Sequence, residues 1–186
     1  MAPLRDYLLA LLSARLGDGA EARAHAGRLA ERAVQPDAEN LKKDLIRSVE
    51  AHSAWWRKDP ERVLESLEQT RMETRFDLLF ASPFHSQASE RQLRAEARFL
   101  LRHDDKALRW YRTFEENSLF DLPYLAGSHL RRGEIQERLG RRQQALRNLS
   151  RAVSLWKNCD PLLFPAREEA EALRLRLQAG SPLSPL

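Results

Sequence analysis

Cysteine occurs once, at Cys159, so no internal disulfide can form and the chain suits a reducing compartment. No stretch approaches the roughly 20 apolar residues that a membrane-spanning helix needs. The apolar run from Tyr7 to Leu12 is too short for a secretory signal and has no cleavage site after it. Glycine numbers only 7, and β-branched residues are scarce beside Ala, Leu, Arg and Glu, which argues against strands and for helices. There is no glycine-rich phosphate loop, no catalytic-loop His-Arg-Asp and no His-Glu-x-x-His pair. These absences leave catalysis, cofactor binding and metal binding without a candidate constellation. The expectation is a cytoplasmic, non-catalytic protein without cofactor or metal.

Charge is abundant but mixed. Charged residues make up 31% of the chain and hydrophobic ones 42%; Lys+Arg 31 against Asp+Glu 27 leaves a net charge of +4. Runs such as Arg28-Leu29-Ala30-Glu31-Arg32 and Arg167-Glu168-Glu169-Ala170-Glu171 read as solvated helix faces with ion pairs. No basic stripe with interleaved aromatics appears, which makes nucleic acid an unlikely partner.

The apolar residues keep helical spacing between short breaks. Helices are expected at about 3–16, 20–34, 38–57, 60–74, 87–102, 104–116, 123–139, 141–157 and 165–178. The breaks are Gly17-Asp18-Gly19, Gln35-Pro36-Asp37, Lys58-Asp59-Pro60, Asp121-Leu122-Pro123, Gly140 and Asp160-Pro161, with Asp37, Asp59 and Asp104 as expected N-caps. Residues 76–85 are too apolar for a free loop and read as a helix extension followed by a packed turn at Ser82-Pro83. Residues 180–186 read as a disordered tail.

Grouped by length, these helices form pairs at about 3–34, 38–74, 87–116 and 123–157, closed by a capping helix at 165–178. The clearest unit is 126–155, with Gly133, Gly140, Ala145 and Ala152 among Leu139, Leu146 and Leu149. Small residues recur at Ala10 and Ala22, Ala51, Ala95 and Ala107, and the second-helix marker falls at 22, 63, 107 and 145, at intervals of 41, 44 and 38. This pattern resembles the tetratricopeptide repeat, whose small residues let paired helices cross closely, although its standard period is about 34 residues. Three positions depart from its consensus: His129 stands where Trp is usual, Arg132 where Leu is usual, and Val63 where Ala is usual. The fourth unit with its Trp156-Lys157-Asn158-Cys159-Asp160-Pro161 ending is similar to C-terminal repeat arrays of large bacterial signalling proteins. The resemblance implies an all-α, right-handed α-solenoid spanning residues 1–179, a scaffold or sensor module, and possible origin as a piece of a longer regulator.

By position in that family, the first helices of successive pairs line a concave groove. The residues implied are Tyr7, Leu11 and Arg15; His52 and Trp56; Gln92, Glu96 and Phe99; and Leu130, Arg131, Glu134 and Arg138. For the tandem Trp55-Trp56 two arrangements are open: both rings pack between repeats, or Trp56 faces a partner as an aromatic anchor. The Lys/Asn arrangement that clamps a terminal carboxylate in some family members is absent, so an extended or helical peptide segment is the expected ligand. Self-association through the array's ends or through residues 76–84 is the alternative. His103-Asp104-Asp105 reads as a helix cap rather than a metal site, Cys159 as a bystander in a turn, and Asn148-Leu149-Ser150 as a chance sequon.

Overall fold

The structure, a computed structural model, describes residues 2–70 and 86–180. The described residues are all-helical, with no strand among them. Among the described residues there are nine α-helices: α1 (Ala2–Arg15), α2 (Gly19–Glu31), α3 (Glu39–Trp56), α4 (Pro60–Glu68), α5 (Ala88–Leu100), α6 (Asp104–Tyr111), α7 (Leu122–Arg138), α8 (Arg142–Leu155) and α9 (Phe164–Ala179). Short 3-10 turns at Pro36–Ala38 and Pro161–Leu163 precede α3 and α9. The chain divides into two compact units, Met1–His103 and Asp104–Leu186, and the division falls inside the third expected pair.

One turn geometry recurs along the chain. Residues Gly17, Lys58, Arg102 and Gly140 all adopt left-handed φ, at 84°, 59°, 58° and 69°. After each, an amide reaches back five residues: Asp18 to Ser13 O, Asp59 to Ala54 O, His103 to Arg98 O and Arg141 to Gln136 O, at 2.8–3.1 Å. This is a Schellman C-cap, which uses the last carbonyls of one helix before the chain turns into the next. Seven residues before each turn lies a small buried side chain (Ala10, Ala51, Ala95) or Gly133, and five residues after it lies Ala22, Val63, Ala107 or Ala145, each 0% exposed. The marker intervals of 41, 44 and 38 are therefore spacings between equivalent helix–turn–helix units. Gly133 has a direct packing reason, since a Cβ there would stand 2.7 Å from Leu149 Cδ2 and Cγ.

Within the first unit, α1 packs on α2 and α3, α3 on α4, and α5 on α3 and α4. Two apolar cores result, one around Tyr7, Leu11, Leu29 and Val49, the other around Val63, Leu67, Leu93 and Ala97. Within the second unit α7 packs on α6 and α8, and α9 on α8, around Leu130, Leu149 and Trp156. Partly buried Cys159 lies against that core.

Several boundaries differ from the sequence reading. Helix α2 ends at Glu31 because Arg32 turns extended and donates from Nε to the buried Asp6 Oδ2 at 2.9 Å. Helix α3 begins at Glu39 without a side-chain cap from Asp37, since the 3-10 turn occupies that position. Asp59 does cap α4, accepting from Arg62 N at 3.0 Å, and Asp18 caps α2 by accepting from Glu21 N. Helix α6 stops at Tyr111, where the amide and hydroxyl of Thr113 both take Trp110 O. Asp104 is not a cap: it is the first residue of α6, and its carboxylate takes both Nε and Nη2 of Arg138. The expected extension of α4 beyond Thr70, the packed turn at 76–85 and the tail at 181–186 lie outside the described residues.

Candidate partner-binding surfaces

In the first unit, α1, α3 and α5 share a polar network, buried at Tyr7, Ser48, His52 and Glu90 and open to solvent at Arg15. Arg15 Nη2 donates to Ser89 Oγ at 2.7 Å, and the same hydroxyl lies 3.1 Å from His52 Nε2. Beside it, Ser48 Oγ donates to Glu90 Oε1 at 2.5 Å, and the Tyr7 hydroxyl bonds to Ser48. Burial, aided by the Glu90 charge, pushes the Tyr7 phenol above its ordinary range. Burial and the Arg15 charge push His52 down to about 3, so its imidazole is neutral at physiological pH.

This network corrects part of the groove assignment. Tyr7 and His52 are only 1% and 7% exposed and hold α1, α3 and α5 together, so they do not present a surface. Leu11 and Leu130 are likewise core residues. The reason is plain on α1: Tyr7, Ala10, Leu11 and Ala14 share one stripe, and that stripe faces the core. Among the remaining expected residues, Gln92 donates to Glu96 at 2.8 Å and Arg131 to Glu134 at 2.9 Å, each within one helix turn. Burial raises the Glu134 carboxyl against the opposing pull of Arg131. Phe99 is partly buried.

Trp56 behaves differently. Its neighbour Trp55 packs against the second apolar core, whereas Trp56 is 57% exposed. The ring lies directly on Gly17, where a Cβ would stand 2.2–2.6 Å from Cε2, Nε1 and Cζ2. Glycine at that turn thus serves both the left-handed φ and the seating of the indole. Leu16, adjacent to Gly17, is 69% exposed, and Leu12 one turn earlier 54%. The result is an exposed aromatic ring propped on a turn that follows exposed leucines. Between α2 and α3 the same unit has a cleft of about 400 Å³ with Ala26, Ala30, Ile46 and Val49 in its wall and Arg23 and Arg57 also lining it.

The second unit has a cleft of about 280 Å³ of opposite character. Helix α7 contributes His129, Arg132 and Gln136, α8 contributes Gln144, Arg147 and Asn148, and Arg112 follows α6. His129 Nδ1 lies 3.1 Å from Asn148 Oδ1, and Asn148 Nδ2 donates to Gln144 O at 2.9 Å. Burial first, and the Arg132 charge second, lower the His129 pKa. Arg132 is itself lowered, by burial and by Arg112.

No family model, curated protein or solved structure matches this chain.

The surfaces are therefore read from their own chemistry. Among the described residues no group of three or more His, Cys, Asp or Glu side chains is placed to hold a metal ion, and no helix is long and apolar enough to cross a membrane. The arginine cleft is absent from the groove implied by the repeat resemblance. Its signal in the sequence is the pair of consensus departures, since His129 and Arg132 both line it.

Proposed function

We propose that this chain is a non-catalytic protein-interaction module of the tetratricopeptide type. In this reading it is a right-handed α-solenoid of about four antiparallel helix pairs with a capping helix, working as a cytoplasmic scaffold or sensor in a bacterial signalling system. Its ligand is a peptide or protein segment. The observation that carries the reading is Trp56, a large ring left 57% exposed yet seated on Gly17 and flanked by exposed Leu16. Aromatic side chains already held in place lose little freedom on binding and recur as interface anchors. The fourfold helix–turn–helix geometry supports the repeat assignment.

The test is a quantitative pull-down from lysate with wild-type chain beside Trp56→Ala, followed by titration of any protein that differs. Loss of an aromatic anchor should weaken that partner by roughly 30-fold, the factor set by about 2 kcal/mol. Recovery of the same proteins in equal yield by both forms sinks the assignment. Self-association is the second reading, favoured by Leu9 and Leu12 on α1 and Leu16 just after it, which are 39%, 54% and 69% exposed. Light scattering over a concentration series, with Leu12→Glu as comparison, decides it.

A further inference from the structure

Several arginines of this protein are answered by carboxylates far along the chain: Arg32 by Asp6, Arg98 by Glu68, Arg138 by Asp104, Arg151 by Glu116, Arg176 by Glu137. Arg112, Arg132 and Arg147 are not among them. Their guanidinium groups have no hydrogen-bond or ion-pair partner among the described residues, and they line one cleft that contains no carboxylate. Like charges gathered there repel, and Arg132, partly buried beside Arg112, loses hydration with no compensating anion. The one acid that acts on His129, Glu116, is held by Arg151 at 2.5 Å.

We propose that this cleft binds a phosphate monoester dianion. Each guanidinium offers paired N–H donors in a planar fork that matches phosphate oxygens, and three of them balance a double negative charge better than a single carboxylate would. The neutral donors fit the same ligand. His129 Nδ1 is placed to donate to Asn148 Oδ1, which leaves Nε2 as the nitrogen able to carry a second proton once an anion is near. Gln136 is only 2% exposed and its Oε1 has no donor, so its amide is open to reorient and donate to the anion. The lining is carried largely on two packed helices, at i, i+3 and i+7 of α7 and i, i+3 and i+4 of α8, which holds the donors in register without a ligand. A volume of about 280 Å³ suits a phosphoryl group with a small part of its carrier. The site lies in the second unit and does not depend on the Trp56 reading, which belongs to the first.

The experiment is isothermal titration of the full chain at low salt with O-phosphoserine and with glucose 6-phosphate, alongside serine and glucose. Binding of either phosphate compound, with no binding of its unphosphorylated form, supports the proposal. Equal binding of both means that the phosphoryl group alone is read, and a difference identifies the carrier. Arg132→Gln and Arg147→Gln should each weaken binding at least about tenfold, whereas Arg132→Lys, which keeps the charge but not the fork, should lose less. Circular dichroism melts matching wild type establish that the variants are folded. No heat and no phosphorus-31 line change at millimolar ligand overturns the proposal, as does undiminished binding by folded Arg132→Gln and Arg147→Gln.

Discussion

Helix α7 contains two interior glycines, Gly127 and Gly133, and the structure gives them opposite surroundings. Replacing a mid-helix glycine by alanine ordinarily stabilises by about 0.5–1 kcal/mol, because the unfolded chain loses freedom. At Gly127 a Cβ meets nothing within 4 Å, so Gly127→Ala should gain that full amount. At Gly133 the same atom would stand 2.7 Å from Cδ2 and Cγ of Leu149, a residue 0% exposed in the core of the second unit. Overpacking of this kind costs about 1–3 kcal/mol, which meets or exceeds the helix gain. Gly133→Ala should therefore range from neutral to about 2.5 kcal/mol destabilised, separated from Gly127→Ala by about 1–3 kcal/mol. Urea denaturation followed by circular dichroism, with unchanged m, measures both. The cause is checked in a Leu149→Ala background, itself destabilised by about 2–5 kcal/mol, where Gly133→Ala should turn stabilising. If the two alanine variants agree within about 0.5 kcal/mol, close helix approach at Gly133 is not what the glycine provides.

Three further outcomes centre on His52, Gly17 and Asp59. Because His52 holds a folded pKa of about 3 against an ordinary 6.5, the unfolded chain binds the extra proton as pH falls through that window. Stability should drop there by about 1.4 kcal/mol per pH unit from this residue, and the pH 7-to-5 loss should be smaller in His52→Gln; equal slopes refute the burial argument. Gly17→Ala and Gly140→Ala both force alanine into left-handed φ, at about 1–2 kcal/mol, but only the first also displaces an indole. It should be the more destabilised and should change tryptophan emission, and equal melting shifts would count against the Trp56 seating. Asp59→Ala removes the side-chain acceptor for Arg62 N and should cost about 1 kcal/mol in the same urea assay.

Much of the local fold was legible in the residues, for reasons that stay local. Asp59 followed by Pro60 starts a helix because the carboxylate takes an orphan amide and proline needs none, and α4 begins there. Gly17 and Gly140 stop helices because they alone among neighbours enter left-handed φ without strain. Lys58 and Arg102 adopt the same φ without any such signature, so equivalence of all four turns was visible only as a spacing of small residues. Residues 7 and 52 were assigned to a groove by their position in the repeat resemblance, which gives a helix face but not what covers it; Ser48, Ser89 and Glu90 from α3 and α5 close over that face.

The sequence by itself therefore determined helices, their turns and the small residues at which paired helices cross, since each depends on capping, φ preference or side-chain volume within a few residues. Only the tertiary structure decided whether a charged or aromatic side chain is answered by a neighbour. Arg138 finds Asp104 34 residues away, while Arg112, Arg132 and Arg147 line one cleft with no acid. Trp56 finds a glycine on another helix's turn to lie on. Electrostatic pairing and aromatic packing are settled by which surfaces meet, and that meeting is a property of the folded chain.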